Sequence, residues 1–280
     1  MKIVTKESIA KDLTKFVIES SLIAKKAQPG QFIVLMVSEA GERIPLTIVD
    51  TDKDKGLITI IFQEVGYTTK LLGRLGVGDS LYSLVGPLGK PTEIKNYGKV
   101  IVVGGGVGIA ELLPVVKALK GAGCEITSIL GGRTEKLVIL RDQVKEFSDQ
   151  LYITTDDGSL GEKGLVTDPL RRLLGEVPGW GLVFCVGPVV MMKAVSELTR
   201  PYDIKTIVCL NAIMVDGTGM CGGCRVTVDN KTKFTCVDGP DFDGHKVDFK
   251  ELMTRQKRFL KHEDQSLCKL DQQINDSKGK

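Results

Sequence analysis

Asp216, Cys221, Cys224 and Cys236 lie within one short segment, written Asp216-GTGM-Cys221-GG-Cys224 and closed by Cys236 twelve residues after Cys224. Thiolates are soft donors, and three of them with one further ligand can hold either an iron–sulfur cluster or a tetrahedral zinc ion. The two-residue spacing and the distant last cysteine are those that bind [2Fe–2S] clusters, and Asp216 stands where that pattern has its first cysteine. Gly217, Gly219, Gly222 and Gly223 allow a chain to wrap closely around inorganic sulfide with its N–H groups turned toward sulfur, which favours iron–sulfur over zinc. Cys209 is a competing fourth ligand, but it sits in the apolar run TIVCL, where a thiol behaves as a small hydrophobe, so Asp216 is preferred. Cys124 and Cys268 have no Cys or His nearby in sequence and are expected to be structural.

A second constellation is glycine-rich. In IVVGGGVGIAELLP, Gly104, Gly105, Gly106 and Gly108 fall between an apolar strand and a helix, where free backbone N–H groups suit a pyrophosphate. Ile109 replaces the last glycine of the strict dinucleotide fingerprint, so the loop alone is weak grounds for nucleotide binding. Asp157, in TDDG, and Gly187-Pro188 each follow another apolar strand and should share the same rim, where open α/β sheets bind ligands. The type of nicotinamide nucleotide, NAD(H) or NADP(H), stays open. Arg133 or Lys136 can meet a 2′-phosphate or can equally be a solvated charge, and no acidic residue ends the second strand.

In the first third of the chain, Arg43-Ile-Pro45-Leu46-Thr47 sets a cation, a rigid residue and a hydroxyl on one face of a strand. Gly66, Thr68 and Thr69, and Gly86 in GPLG, read as ordinary turns when taken singly.

These groups need a scaffold, and 280 residues with 42% hydrophobic content suit two modest domains better than one. Short β-rich runs up to residue 97 predict an antiparallel barrel or sandwich. From Lys99 the pattern turns to βαβ, predicting a Rossmann-like parallel α/β domain over 98–205, then a small metal lobe over 206–248 and a helical tail over 249–280. The fold class is therefore α/β plus β. In the tail, Leu252, Met253, Phe259 and Leu260 fit one helical stripe, which suits either a partner or the chain's own domain. The net charge of only +3 calls for neither nucleic acid nor a membrane surface, and a charged start without an apolar run leaves the cytoplasm as the expected compartment. His245 and His262 are the only histidines and are expected at the surface.

Taken in order, RIPLT, VGPLG, GGGVGIA, DDGSLGEKGLVTD, VGPVVMMKAV and the D-x4-C-x2-C…C run resemble the ferredoxin-NADP reductase superfamily over roughly residues 1–250. The resemblance is nearest to the electron-transfer subunits of dihydroorotate dehydrogenase and to the small subunits of NADH-dependent ferredoxin:NADP oxidoreductase. It implies FAD held by Arg43 at its phosphates, Pro45, Leu46 and Thr47 along the isoalloxazine, and Gly66, Thr68 and Thr69 at the pyrophosphate. It further implies a nicotinamide ring near Gly187 and Pro188, and a larger flavin/iron–sulfur subunit as partner, through which ferredoxin is a possible electron carrier. Two departures stand out. Val186 replaces the cysteine that commonly precedes Gly-Pro, leaving Cys185 one residue back on the opposite side of the strand, and Asp216 replaces the cysteine of the dihydroorotate type. The second favours the ferredoxin:NADP branch.

Overall fold

Alternation of apolar and polar residues organises the first third. Seven strands form, β1 (Ile3–Ala10), β2 (Leu13–Glu19), β3 (Phe32–Met36), β4 (Arg43–Thr47), β5 (Asp50–Asp52), β6 (Leu57–Gln63) and β7 (Ser83–Leu88). They pair antiparallel as two sheets, β1-β2-β6-β5 and β4-β3-β7, which enclose one core without joining into a single closed ladder. Phe16, Ile18, Ile33, Leu35, Ile58, Ile60 and Phe62 fill it, and the rings of Phe16 and Phe62 meet edge to face at 5.2 Å. Helices α1 (Ser21–Lys26) and α2 (Tyr67–Arg74) flank the sheets. The computed structural model describes residues 1–278, with side chains placed through Leu270 and at Gln272.

The second unit alternates β8 (Lys99–Gly105), α3 (Gly108–Gly121), β9 (Glu125–Gly132), α4 (Arg141–Glu146), β10 (Gln150–Thr155), β11 (Glu162–Lys163), α5 (Thr167–Glu176), β12 (Trp180–Val186) and α6 (Val189–Thr199). Its sheet has the order β11-β10-β9-β8-β12, parallel throughout, and continues through β13 (Thr206–Cys209) to an antiparallel edge strand, β16 (Asp241–Asp243). Covered on both faces, its strands are near-continuous apolar runs. Ile101, Val103, Val183 and Cys185 face one core, and Val100, Val102, Leu182 and Phe184 face the other. From β8 the chain moves outward to β9, β10 and β11, then returns to lay β12 on the other side of β8, which creates a crevice beyond the carboxyl ends of these two strands.

Between β13 and β16 the chain makes the small lobe, a hairpin of β14 (Arg225–Val228) and β15 (Lys231–Phe234) followed by α7 (Thr235–Asp238). Asp229 and Asn230 take φ of 52° and 57° at the hairpin turn, a conformation Asp and Asn tolerate better than most side chains. Helix α8 (Phe249–Gln256) is capped by Asp248, whose carboxylate accepts the Glu251 N–H at 2.9 Å.

The tail does not form one stripe. Leu252 is buried with Phe249 in the same core as Cys224 and Cys236, and Met253 packs against it, whereas Phe259 and Leu260 are exposed where the chain turns into α9 (Leu260–Lys278). Helix α9 packs beside α2 and buries Leu270. No helix among the described residues is long and apolar enough to cross a membrane.

Candidate functional site

The crevice beside β8 and β12 is a cleft of about 710 Å³ lined by Gly105, Gly106, Gly108, Arg133, Gly187 and Pro188, six of the predicted residues. Gly104 lies just behind it at the end of β8. Its two walls touch through backbone. A Cβ at Gly108 would sit 2.9 Å from both Gly187 Cα and Val186 O, so only glycine lets the first turn of α3 lie against the turn after β12. The start of α3 thus borders the cleft, where a helix N-terminus suits a pyrophosphate, although the Ile109 and Ala110 N–H groups turn back to the Gly106 and Val107 carbonyls at 3.2 and 3.0 Å. At the far rim Asp156 lines the cleft, while the Asp157 carboxylate accepts the Ser159 N–H at 2.9 Å and its hydroxyl at 2.6 Å. Cys185 is fully buried in the opposite core and Val186 takes its place on the cleft, in keeping with the side swap expected from the sequence.

On the first unit, β3 and β4 pair Val34 with Pro45 and Met36 with Arg43, which puts Arg43, Pro45 and Thr47 on one face as alternation requires. Gly66 precedes α2, and the Thr69 hydroxyl accepts its N–H at 3.0 Å and that of Val65 at 3.1 Å. The Thr68 hydroxyl donates to Glu42 at 2.5 Å, tying the start of α2 to the strand that carries Arg43. Gly86 packs against β3, where a Cβ would meet Ile33 at 2.9 Å.

Sequence reading missed a polar group between the two units. Glu111, from the first turn of α3, lies beside Thr47 and 4.0 Å from Cys209 Sγ, and it borders the cleft. Asp241 joins from β16, with Thr92 donating to one of its oxygens at 2.6 Å and the other oxygen buried without a partner. Burial, then the Asp241 charge, pushes the Glu111 carboxyl up to about 7, and burial pushes Asp241 up to about 6. Burial also raises the Cys209 thiol. The place of Glu111 just after the glycine loop was a usable signal. Asp241 gave none, because β16 reaches the site only through sheet pairing.

In the small lobe, Cys224 and Cys236 are buried with their sulfurs 3.2 Å apart. Burial, with the Cys224 sulfur second, holds the Cys236 thiol up at about 12. Asp216 and Cys221 form a second pair at the exposed mouth of the loop. The Asp216 carboxylate accepts the N–H of Cys221 at 2.7 Å and of Thr218 at 2.9 Å, and these bonds, Thr218 first, lower its pKa. Among the described residues no three Cys, His, Asp or Glu side chains gather at one point as a single-metal site. Two donor pairs, three ligands from the glycine-rich loop and Cys236 from α7, suit a dinuclear cluster, in which each iron takes two protein ligands, better than a single tetrahedral zinc ion. Gly223 N–H already donates to Cys221 Sγ at 3.4 Å, and Cys236 N–H to Cys224 Sγ at 3.5 Å. Such N–H···S bonds are the outer contacts that tune a cluster. Cys209 lies apart from this loop, on the cleft.

The lobe lies against the β4-β3-β7 sheet. Gly217, at φ +75°, would place a Cβ 2.7 Å from Leu88 and 2.9 Å from Val34, so the loop rests on β3 and β7.

Two other expectations need correction. His245 is half-buried, sharing a 2.9 Å hydrogen bond with Thr199, and Cys268 is exposed on α9 rather than structural. Cys124 is buried as expected, taking the Tyr97 N–H at 3.4 Å.

An antiparallel β unit joined to a doubly wound nucleotide-type unit and a cysteine lobe defines a ferredoxin-reductase-like electron-transfer protein. Distant structures share this fold, among them phthalate dioxygenase reductase (TM-score 0.58, 16% identity, 81% of this chain and 85% of that one). Residues 211–248 match the iron–sulfur cluster binding domain of dihydroorotate dehydrogenase B. The chain is 49% identical over 262 residues to the dihydroorotate dehydrogenase B (NAD(+)) electron transfer subunit homolog of Thermotoga maritima, covering 94% of this chain and 92% of that protein. It is 32% identical to the electron transfer subunit from Desulforamulus reducens, over 80% of this chain and 88% of that one. A solved structure of an NADH-dependent reduced ferredoxin-NADP oxidoreductase, described for flavin-based electron bifurcation, superposes with a TM-score of 0.91 at 48% identity, covering 96% of this chain and 97% of that one. The chain therefore belongs to the family of dihydroorotate dehydrogenase B electron-transfer subunits and is an oxidoreductase subunit of an electron-transfer complex.

Proposed function

We propose that the chain passes electrons between a nicotinamide nucleotide, FAD and a [2Fe–2S] cluster, as the smaller subunit of a complex with a larger flavin/iron–sulfur subunit. The observation that carries the reading is convergence. The cleft at the sheet crevice borders Glu111 beside Thr47, and the cysteine loop rests on β3 and β7 of the same small sheet, so three binding regions adjoin. When bound, the nicotinamide supplies a hydride, the flavin splits the pair, and the cluster takes single electrons.

The chain's own residues bind and orient these groups. Gly104, Gly105, Gly106 and Gly108 with the start of α3 would hold the nucleotide's phosphates, and Gly187 and Pro188 would flank its ring. Arg43 would pair with flavin phosphate, Pro45, Leu46 and Thr47 would lie along the flavin ring, and Gly66, Thr68 and Thr69 would present the start of α2 to the pyrophosphate. Asp216, Cys221, Cys224 and Cys236 are the proposed cluster ligands. Around exposed Cys221, Met220 is 89% exposed and Val215 and Val237 are also open, an apolar rim that suits docking of the larger subunit. Asp216 and the close structural neighbour favour the ferredoxin:NADP branch. The relatives' names keep the dihydroorotate-linked role as the second reading.

Anaerobically purified chain is expected to carry about one FAD and about two irons, and NAD(P)H should bleach its flavin absorbance. Asp216→Cys should keep iron with an altered spectrum, and Cys209→Ser should change neither. Zinc in place of iron overturns the cluster reading. Iron lost in Cys209→Ser but kept in Asp216→Ala overturns the ligand assignment.

A further inference from the structure

Three arginines converge on the peptide units between Cys221 and Cys224. Arg225, at the start of β14, donates from Nη1 to the Gly222 carbonyl at 3.3 Å. Arg255, in the last turn of α8, and Arg258, just beyond it, each donate from Nη2 to the Gly223 carbonyl at 3.2 Å. Arg258 is held in place by its Nε, which donates to the Arg255 carbonyl at 3.1 Å.

A peptide carbonyl and the N–H of the following residue form one conjugated plane. The Gly222 carbonyl therefore belongs with the Gly223 N–H, which donates to Cys221 Sγ at 3.4 Å, and the Gly223 carbonyl with the Cys224 N–H. A cation on the oxygen of such a plane polarises it and strengthens its N–H as a donor. None of the three guanidiniums forms an ion pair with a carboxylate within 4.0 Å among the described residues. Glu251, one turn before Arg255 on α8, accepts the Thr227 N–H at 2.9 Å and only partly offsets the Arg255 charge. Crowding three cations this closely has a cost: burial, then the charges of Arg258 and Arg225, lowers the proton affinity of Arg255. Capping α8 needs only one of them.

We propose that Arg225, Arg255 and Arg258 are positioning residues that raise the reduction potential of the cluster held by this loop, Arg225 by strengthening Gly223 N–H donation to the Cys221 sulfur and all three by placing positive charge beside the cluster. This rests on the cluster reading above. One-electron reduction, with the reduced flavin as donor, adds one negative charge to the cluster, and nearby cations and sulfur-directed dipoles stabilise that more negative state. The arginines gain no covalent or protonic role. They act through the loop's peptide units and through their charge.

The experiment is a dithionite redox titration of the purified full-length holoprotein, following the electron paramagnetic resonance signal of the reduced cluster, with iron and FAD measured on each sample. Arg258→Gln and Arg255→Gln are each expected to move the midpoint to more negative potential at unchanged iron content. The double variant should move it further, and Arg255→Lys should restore part of the shift. Raising ionic strength should lower the wild-type potential and affect the double variant less, because the removed charges are the screened ones. Should Arg255→Gln lose iron, Arg258→Gln decides, since its side chain is exposed. Iron-loaded variants whose midpoint does not move overturn this proposal alone. A wild-type chain without iron would overturn the cluster reading first.

Discussion

Glu111 and Asp241 put two carboxyl groups where charge is least comfortable, between two packed units and beside a thiol. A carboxyl whose pKa is higher in the folded chain than in the unfolded one binds its proton more tightly when folded. Its contribution to stability is complete below the ordinary value of 4.5 for Glu111 and is lost as the pH rises through about 7. Asp241 behaves alike between its ordinary 3.8 and about 6. Burial lowers the pKa of His245, which gives the opposite trend near neutrality, and Asp241 adds its own, so the wild-type curve alone does not isolate Glu111. The difference between wild type and Glu111→Gln does. Urea unfolding at steps between pH 4.5 and pH 7 is expected to show wild type losing stability relative to the variant as pH rises. A flat difference would mean that Glu111 ionises as freely folded as unfolded.

At the scale of elements, the contact between the two glycine turns decides whether the crevice can form. Gly108→Ala drives a methyl group into the backbone of Val186 and Gly187, with no flexible side chain to give way. Overpacking of this kind costs about 1–3 kcal/mol, and parting the walls should also raise the Kd for NAD(P)H. Gly106→Ala is the useful contrast. That residue has φ +57° and nothing within 4 Å of a Cβ, so the variant meets only backbone strain, roughly 1–2 kcal/mol. Equilibrium unfolding and nucleotide titration on both variants test the distinction. The expected result is a larger loss of nucleotide affinity in Gly108→Ala than in Gly106→Ala at comparable stability.

For the whole molecule, the proposed complex turns on which surface meets the partner subunit. Phe249 and Leu252 are locked into the chain's own core, so cutting at Phe249 would damage the lobe rather than probe docking. Truncation after Arg258 removes residues 259–280, chiefly α9, whose buried residue among those described with side chains is Leu270. That truncation is expected to lower Tm but leave capture of the larger subunit intact. Met220→Asp, at the rim beside Cys221, should weaken capture on the order of tenfold or more, as loss of a central apolar anchor does. Co-purification with tagged large subunit reads both, and the reverse pattern would move the interface to the tail.

Much was decided by local chemistry and is legible in the chain: the antiparallel start, the βαβ pattern, the glycine turn and the spacing of Asp216, Cys221, Cys224 and Cys236. Each depends on neighbours in sequence, through side-chain periodicity, positive-φ tolerance or ligand spacing. Tertiary structure decided the rest. Nothing local says that β16 pairs antiparallel with β13 and so brings Asp241 to Cys209 and Glu111, or that Gly217 rests on Val34 and Leu88. Nor does local pattern say that one half of the tail is core and the other half is not. A helical stripe records that a face is apolar, but the identity of what covers it depends on chain paths that meet only after folding.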